Sequence, residues 1–231
     1  MNKKEKSQLV KRREILTAAY QLSEEKLIQN VTMRDVSKKS EYTLRTIYHY
    51  FSSKEEMFYD LLTTIMEEKA KWLEPIIKSN QNPIQQLFAY FYANFEYLNK
   101  YPIELKIVYY LQSNDYNNLS LSEAFLEKQR ERRTDLYYLI SDIYENGINQ
   151  GYFRQSIQIK DIQDSLTNTL RLVMYFIFIL KERPESYYWS FLEVLLHGVI
   201  QDNHKEYLIK LFSSKKPTLH LPDKIRLLSE I

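Results

Sequence analysis

The sequence predicts an all-α fold, with a small three-helix head followed by a larger helical body. Three observations predict it. Glycine (3) and proline (6) are scarce in 231 residues, so few turns are available for a sheet. Apolar residues recur at three- and four-residue spacing rather than in alternation. Ser or Thr stands repeatedly where such a helix would start, with an acid three residues on.

Residues 1–6 are charged and predict a loose arm, whose Lys3, Lys4 and Lys6 either reach a polyanion or stay solvated. Residues 7–25 read as a first helix with Ile15, Ala18, Ala19 and Leu22 inward. Thr32 caps a short second helix and Asp35 completes the capping box; Met33 and Val36 form its apolar face. Residues 40–43 break the pattern. Leu44, Ile47 and Phe51 then recur at i, i+3 and i+7, the inner face of another short helix. Its other side carries Thr43, Arg45, Thr46, His49 and Tyr50, with Tyr48 at the margin. A helix of seven or eight residues does not support itself in water. Two readings stand: a helix braced so that its polar face enters a B-DNA major groove, or a three-helix core with a polar outside.

Ser53 and Glu56 form the next capping box, opening a long helix over 55–78 with Met57, Phe58, Leu61, Leu62, Ile65, Met66 and Trp72. Pro75 is expected to kink or end it. A rod shared by head and body can act as a lever. Residues 78–82 are a polar loop, and Pro83 suits the first position of a helix over 83–100. Further helices are expected over 102–113, from a Ser120/Glu123 capping box to about 150 with Gly151 left-handed beyond it, and over 161–181, 187–200 and 203–212. The remaining residues, 214–231, form a tail to which the sequence assigns no role.

Residues 173–180 are apolar all round their helix, which demands burial on every side. Tyr188, Leu192, Leu195, Leu196 and Val199 form a stripe on the next, where Gly198 permits close approach. The helices near 161–181 and 187–200 therefore predict a homodimer interface; the alternative is that both fill a monomer core. Twenty tyrosines, many between 90 and 152, suit either a core or a pocket for an amphipathic small molecule. Candidate lining residues are Tyr90, Tyr97, Tyr109, Tyr137, Met174 and Phe178, and Arg171 is a candidate partner for an anionic group.

The net charge of +2 hides an asymmetry: residues 1–54 hold twelve Lys/Arg against six acids, and the rest hold 20 against 24. A basic head on an acidic body is the footprint of a DNA-contacting domain joined to a second one. Cysteine is absent, so neither disulfides nor thiolate chemistry is available. The lysine-rich start lacks the apolar run of a signal peptide, and the longest apolar run, 172–180, is far short of a bilayer span. The chain is thus expected in the cytoplasm, with no membrane partner.

The stretch Thr32, Thr46-Ile47-Tyr48-His49-Tyr50-Phe51 and Ser53-Lys54-Glu55, with Ile15-Leu16-Thr17-Ala18-Ala19 upstream, resembles the TetR family of bacterial transcriptional regulators. The resemblance covers roughly residues 10–62. The family's turn carries glycine where Glu41 stands, and its first helix ends on glycine near Lys26 or Leu27, positions that ask for φ > 0. The resemblance implies a helix-turn-helix DNA-binding domain over 1–54 and a ligand-binding and dimerisation domain over 55–213. It agrees with the lever reading of the long helix.

Enzymatic signatures are missing. There is no Gly-rich phosphate loop, Gly-x-Ser-x-Gly or cysteine nucleophile, and Glu193/His197 at i, i+4 is a lone pair that makes no metal site. No cofactor is expected. The reading is a homodimeric regulator, a repressor of a palindromic double-stranded DNA operator released by an unidentified small-molecule effector. Thr43, Arg45, Thr46 and His49 would enter the groove, and Thr32, Arg34, Tyr48, Tyr50 and Lys54 would hold phosphates. The alternative is a helical protein-binding adaptor, which a weak salt dependence would reveal.

Overall fold

The structure is a computed structural model and describes residues 2–80, 82–113, 121–131, 135–156 and 158–214. Side chains at 113, 128–131, 135–137 and 159–167 fall outside that description, as does the tail from 215 onward. Among the described residues there are eleven α-helices: α1 Lys3–Glu25, α2 Met33–Ser40, α3 Leu44–Tyr50, α4 Lys54–Lys78, α5 Pro83–Lys100, α6 Ile103–Ser113, α7 Glu123–Glu131, α8 Asp135–Asn149, α9 Ile159–Phe178, α10 Glu185–Val199 and α11 Lys205–Ser213. No strand occurs among them. The fold class is all-α. The chain divides into two compact units, one on residues 2–68 and 106–131, the other on Lys69–Leu105 and 135–214.

In the first unit, α1 starts earlier than the sequence led us to expect. The Asn2 side chain accepts from the Glu5 amide at 2.9 Å, and the Glu5 carboxylate accepts from the Asn2 amide at 2.8 Å. That reciprocal cap satisfies the first amides, so Lys3, Lys4 and Lys6 sit on a helix rather than on a loose arm. Ile15, Ala18, Ala19 and Leu22 are buried, as their spacing predicts, and Leu16 is buried with them. The expected left-handed residue at the end of α1 is not there. Lys26 has φ −148° and Leu27 φ −61°, so the chain leaves through extended backbone into a single 3-10 turn at Ile28–Asn30, and no glycine is needed. Glu41 does hold the left-handed conformation, at φ 61°, after α2.

The Ser53 hydroxyl caps α4 by accepting from the Glu56 amide at 3.1 Å. The Glu56 carboxylate accepts from the Ser52 amide at 3.0 Å, and from the Ser122 hydroxyl at 3.0 Å. Burial pushes the Glu56 carboxyl up, but the Ser52 and Ser122 bonds together hold it below its ordinary value. The α4 helix runs through Pro75 to Lys78; the proline ring is exposed, and only one backbone bond is forfeited.

In the second unit, α5 is the central element. Asn82 caps it, accepting from the Gln85 amide at 2.9 Å, and Pro83 takes the first position. Twelve of its residues are buried, among them Phe88, Tyr90, Phe91, Phe95 and Tyr97. The expected helix from Ser120 to 150 is instead α7 and α8, and the cap of α7 is Ser122, whose hydroxyl accepts from the Phe125 amide at 3.3 Å. Gly151 is left-handed at φ 77°. The chain then returns along α10: the Arg154 amide donates to Val199 at 3.0 Å, the Gln201 amide donates to Tyr152 at 2.9 Å, and Phe153 bridges Ile200. Gly147 makes room for this return, because a Cβ there would meet the Phe153 ring at 2.1 Å. The α9 helix ends at Phe178, short of 181. Its last carbonyls are closed by the Leu180 amide to Tyr175 and the Glu182 amide to Phe176, with Lys181 left-handed at φ 59°. On α10, Tyr188, Leu192, Leu196 and Val199 face the unit's own core rather than outward.

Candidate nucleic-acid interface

The Thr43 side chain accepts from the Thr46 amide at 3.2 Å, and the two hydroxyls lie 2.8 Å apart. This cap starts α3 despite its brevity. Ile47 and Phe51 are sealed in the core (0% and 1% exposed), so the helix is anchored by one face and presents the other. Arg45, Tyr48 and His49 are exposed there; Thr46 and Tyr50 are half-buried, and the His49 and Tyr50 rings meet edge to face at 5.3 Å.

The turn before α3 is held from two sides. The Ser37 hydroxyl donates to the Tyr42 carbonyl at 2.6 Å. The Tyr42 hydroxyl donates to the Glu14 carboxylate, which pushes the phenol up to about 12. On α2, Thr32 accepts from the Asp35 amide at 3.1 Å, and the Asp35 carboxylate accepts from the Thr32 amide at 2.9 Å. The Lys26 ammonium, 2.7 Å away, and then the Thr32 bonds hold the Asp35 carboxyl well below the usual carboxylate range.

Thr43, Arg45, Thr46, His49 and Tyr50 share an open concavity of about 770 Å³ with Lys3, Lys4, Ser7, Gln8 and Lys11 of α1. Its lining holds four full-time cations and no carboxylate. The sequence reading placed Lys3 and Lys4 on an arm and missed Ser7, Gln8 and Lys11. The signal was present: Lys4, Gln8 and Lys11 follow the i, i+4, i+7 rule of one helical face. Arg12, next in the chain, points the other way and pairs with the buried Asp60 carboxylate.

The remaining candidates are not among the residues that line that concavity. Arg34 and Thr32 are exposed on or beside α2. Lys54 is half-buried; its ammonium donates to the Gln29 carbonyl at 3.0 Å and lies 4.8 Å from the Tyr110 ring centre, and burial pushes its pKa down. Of the candidate ligand residues, Tyr90, Tyr97, Met174 and Phe178 are buried in the second unit. Tyr109 is 47% exposed and belongs to the first, on the opposite side of α6 from Ile107 and Leu111. The Tyr137 side chain lies outside the described residues. Among the described residues no three His, Asp or Glu converge on a metal position, and no helix is long and apolar enough to cross a membrane.

Residues 15–61 match the family model of "Bacterial regulatory proteins, tetR family". The chain is 25% identical over 149 residues to the HTH-type transcriptional repressor KstR2 of Mycobacterium tuberculosis, a match covering 64% of this chain and 72% of that protein. In fold it resembles the regulator FadR of Bacillus subtilis, solved with stearoyl-CoA (TM-score 0.61, 18% identity, 80% of this chain and 97% of that one). It also resembles FadR of Thermus thermophilus, solved with lauroyl-CoA (TM-score 0.55, 17% identity, 92% and 98%). A capped helix in a basic concavity, within a stretch that matches the family model over residues 15–61, leads to one conclusion: the chain carries a helix-turn-helix head of the tetR type.

Proposed function

We propose that the protein is a repressor that binds a palindromic operator as a homodimer and lets go when a small molecule occupies its second unit. The observation that carries this reading is the α3 face, presented within a concavity lined by four cations and no carboxylate. A duplex phosphate backbone supplies the matching charge. Arg45, Thr43, Thr46 and His49 read base edges in the major groove; Lys4, Lys11, Tyr50, Tyr48, Arg34 and Thr32 hold the phosphates that set register. Lys54 joins them by exchanging its Gln29 partner. The DNA-binding domain takes in residues 1–54, and residues 55–213 form the regulatory and dimerisation domain, with α4 as the lever between them.

Dimerisation rests on the outer faces of α9 and α10. Val194 is 70% exposed, Leu172 52% and Tyr187 42%, apolar side chains available for a second copy to cover. Two heads a helical turn of DNA apart then read a two-fold site. The effector has an apolar body suited to the aromatic interior around α5; acyl-CoA thioesters, with which both FadR proteins were solved, are the first class to test. Such a regulator works in the cytoplasm. The deciding experiment is sequencing of DNA fragments retained by the purified protein. A shared two-fold motif, bound with an affinity that falls steeply as salt rises, is expected. Fragments without a motif would sink the reading.

A further inference from the structure

Three charged side chains meet inside the second unit, and their charges do not cancel. Lys69 of α4 and Glu104 of α6 have side chains 2% and 0% exposed, with 2.5 Å between Nζ and Oε2. Lys69 also donates to Asn94 Oδ1 at 3.0 Å, and its ammonium lies 5.9 Å from the Tyr97 ring centre. Glu104 Oε1 faces Arg171 Nη2 of α9 at 3.4 Å. Among the described side chains one carboxylate serves two cations, which leaves a net positive charge where burial penalises it. Lys69 is well matched. Arg171 is not: among the described residues that long contact is the one bond its guanidinium makes, although the side chain is only 18% exposed. At 18% exposure the Arg171 side chain keeps some accessible surface, while its helix neighbours Leu170, Val173 and Met174 are buried.

We propose that Arg171 is the seat for a single anionic group, a carboxylate or phosphate, at one end of an otherwise apolar effector. The planar fork takes two oxygens side by side while Glu104 stays with Lys69. Low local polarity makes the charge, rather than the apolar body, the selective feature. This deepens the effector reading above and rests on the second unit being the ligand-binding one.

The test uses two dyes with one ring system: 1-anilinonaphthalene-8-sulfonate, which is anionic, and N-phenyl-1-naphthylamine, which is neutral. The full-length protein is expected to bind the sulfonate at least tenfold more tightly. Arg171→Gln, checked for native circular dichroism, should lose that preference and keep its affinity for the neutral dye. Arg171→Lys, which keeps the charge but not the fork, should retain part of the preference and serves if the Gln variant does not fold. Equal affinity of the two dyes for the parent, no binding of either, or an undiminished preference in a folded Arg171 variant would overturn the proposal. Displacement of the sulfonate dye by laurate as well as lauroyl-CoA assigns the natural charge to a carboxylate; displacement by lauroyl-CoA alone assigns it to phosphate. Duplex retention, measured separately, decides the DNA-binding reading whatever the dyes show.

Discussion

The Lys26 ammonium and the Thr32 amide converge on one carboxylate, that of Asp35, at 2.7 and 2.9 Å. Asp35 thereby ties the end of α1 to the start of α2. Its folded-state carboxyl lies well below the ordinary value of 3.8, so the folded chain gives up this proton more readily than the unfolded one. The stabilisation is complete above that ordinary value and is lost as pH falls through the folded one. Asp35→Asn should therefore lower stability at pH 6 and flatten its fall between pH 4 and 2. Urea unfolding across that range checks it; an acid limb as steep as the parent's would remove Asp35 as its cause.

Glu41 occupies left-handed backbone where its side chain is exposed. A non-glycine residue gives up about 1 kcal/mol in that region, against the smaller entropic cost of glycine. Glu41→Gly is expected to raise stability by about 0.5 kcal/mol without altering DNA binding by more than the lost charge. Lower stability would mean that the Glu41 side chain does something in the turn beyond tolerating it.

Arg45→Ala should cost ~1–3 kcal/mol of binding to the selected operator and little on random duplex, if Arg45 reads a guanine edge. Lys11→Ala should weaken both alike and reduce the salt slope by about one unit, the mark of a phosphate contact. Fluorescence anisotropy at several salt concentrations separates the two. An Arg45 loss shared equally by random DNA would reassign it to the backbone.

Much of the local structure of the head was legible in the sequence, because its signals are local. Thr32, Asp35 and Ser53 announce their helices through bonds that span three residues, and Ile47 and Phe51 mark the inner face by spacing alone. What escaped depended on partners distant in the chain. Nothing near residue 12 says that Arg12 will pair with Asp60 while Lys11 lines the concavity. Nor does the α10 stripe say which of two candidate partners, its own core or a second chain, it will meet. It meets its own core through Leu192 and Leu196, leaving Val194 on the far side. The start of α1 differs for another reason: the lysine run predicts a solvated arm by its charge, but Asn2 and Glu5 within it form a cap that starts the helix.

Val194→Glu should shift the purified protein toward single chains. A charge at the centre of a face that two copies bury lacks a partner, and burying it is costly. Sedimentation velocity across a range of concentrations measures this. A dimer of unchanged strength would move the contact to another surface.

Gly147→Ala should destabilise the second unit by about 1–3 kcal/mol, since the new methyl group overlaps the Phe153 ring, itself 1% exposed and in contact with Tyr144. Thermal unfolding gives the magnitude. A neutral result would show that the ring can swing aside at no cost.

The return of residues 152–154 along the end of α10 has a mechanical corollary. Two amide bonds, which together form one antiparallel bridge, clamp the exit of α8 to the exit of α10, and an aromatic ring packs on α8 beside them. Those helices cannot slide past each other without breaking the clamp, so they travel as a single block. Any rearrangement that a bound molecule provokes must be taken up elsewhere, in the helices that lack such a rivet.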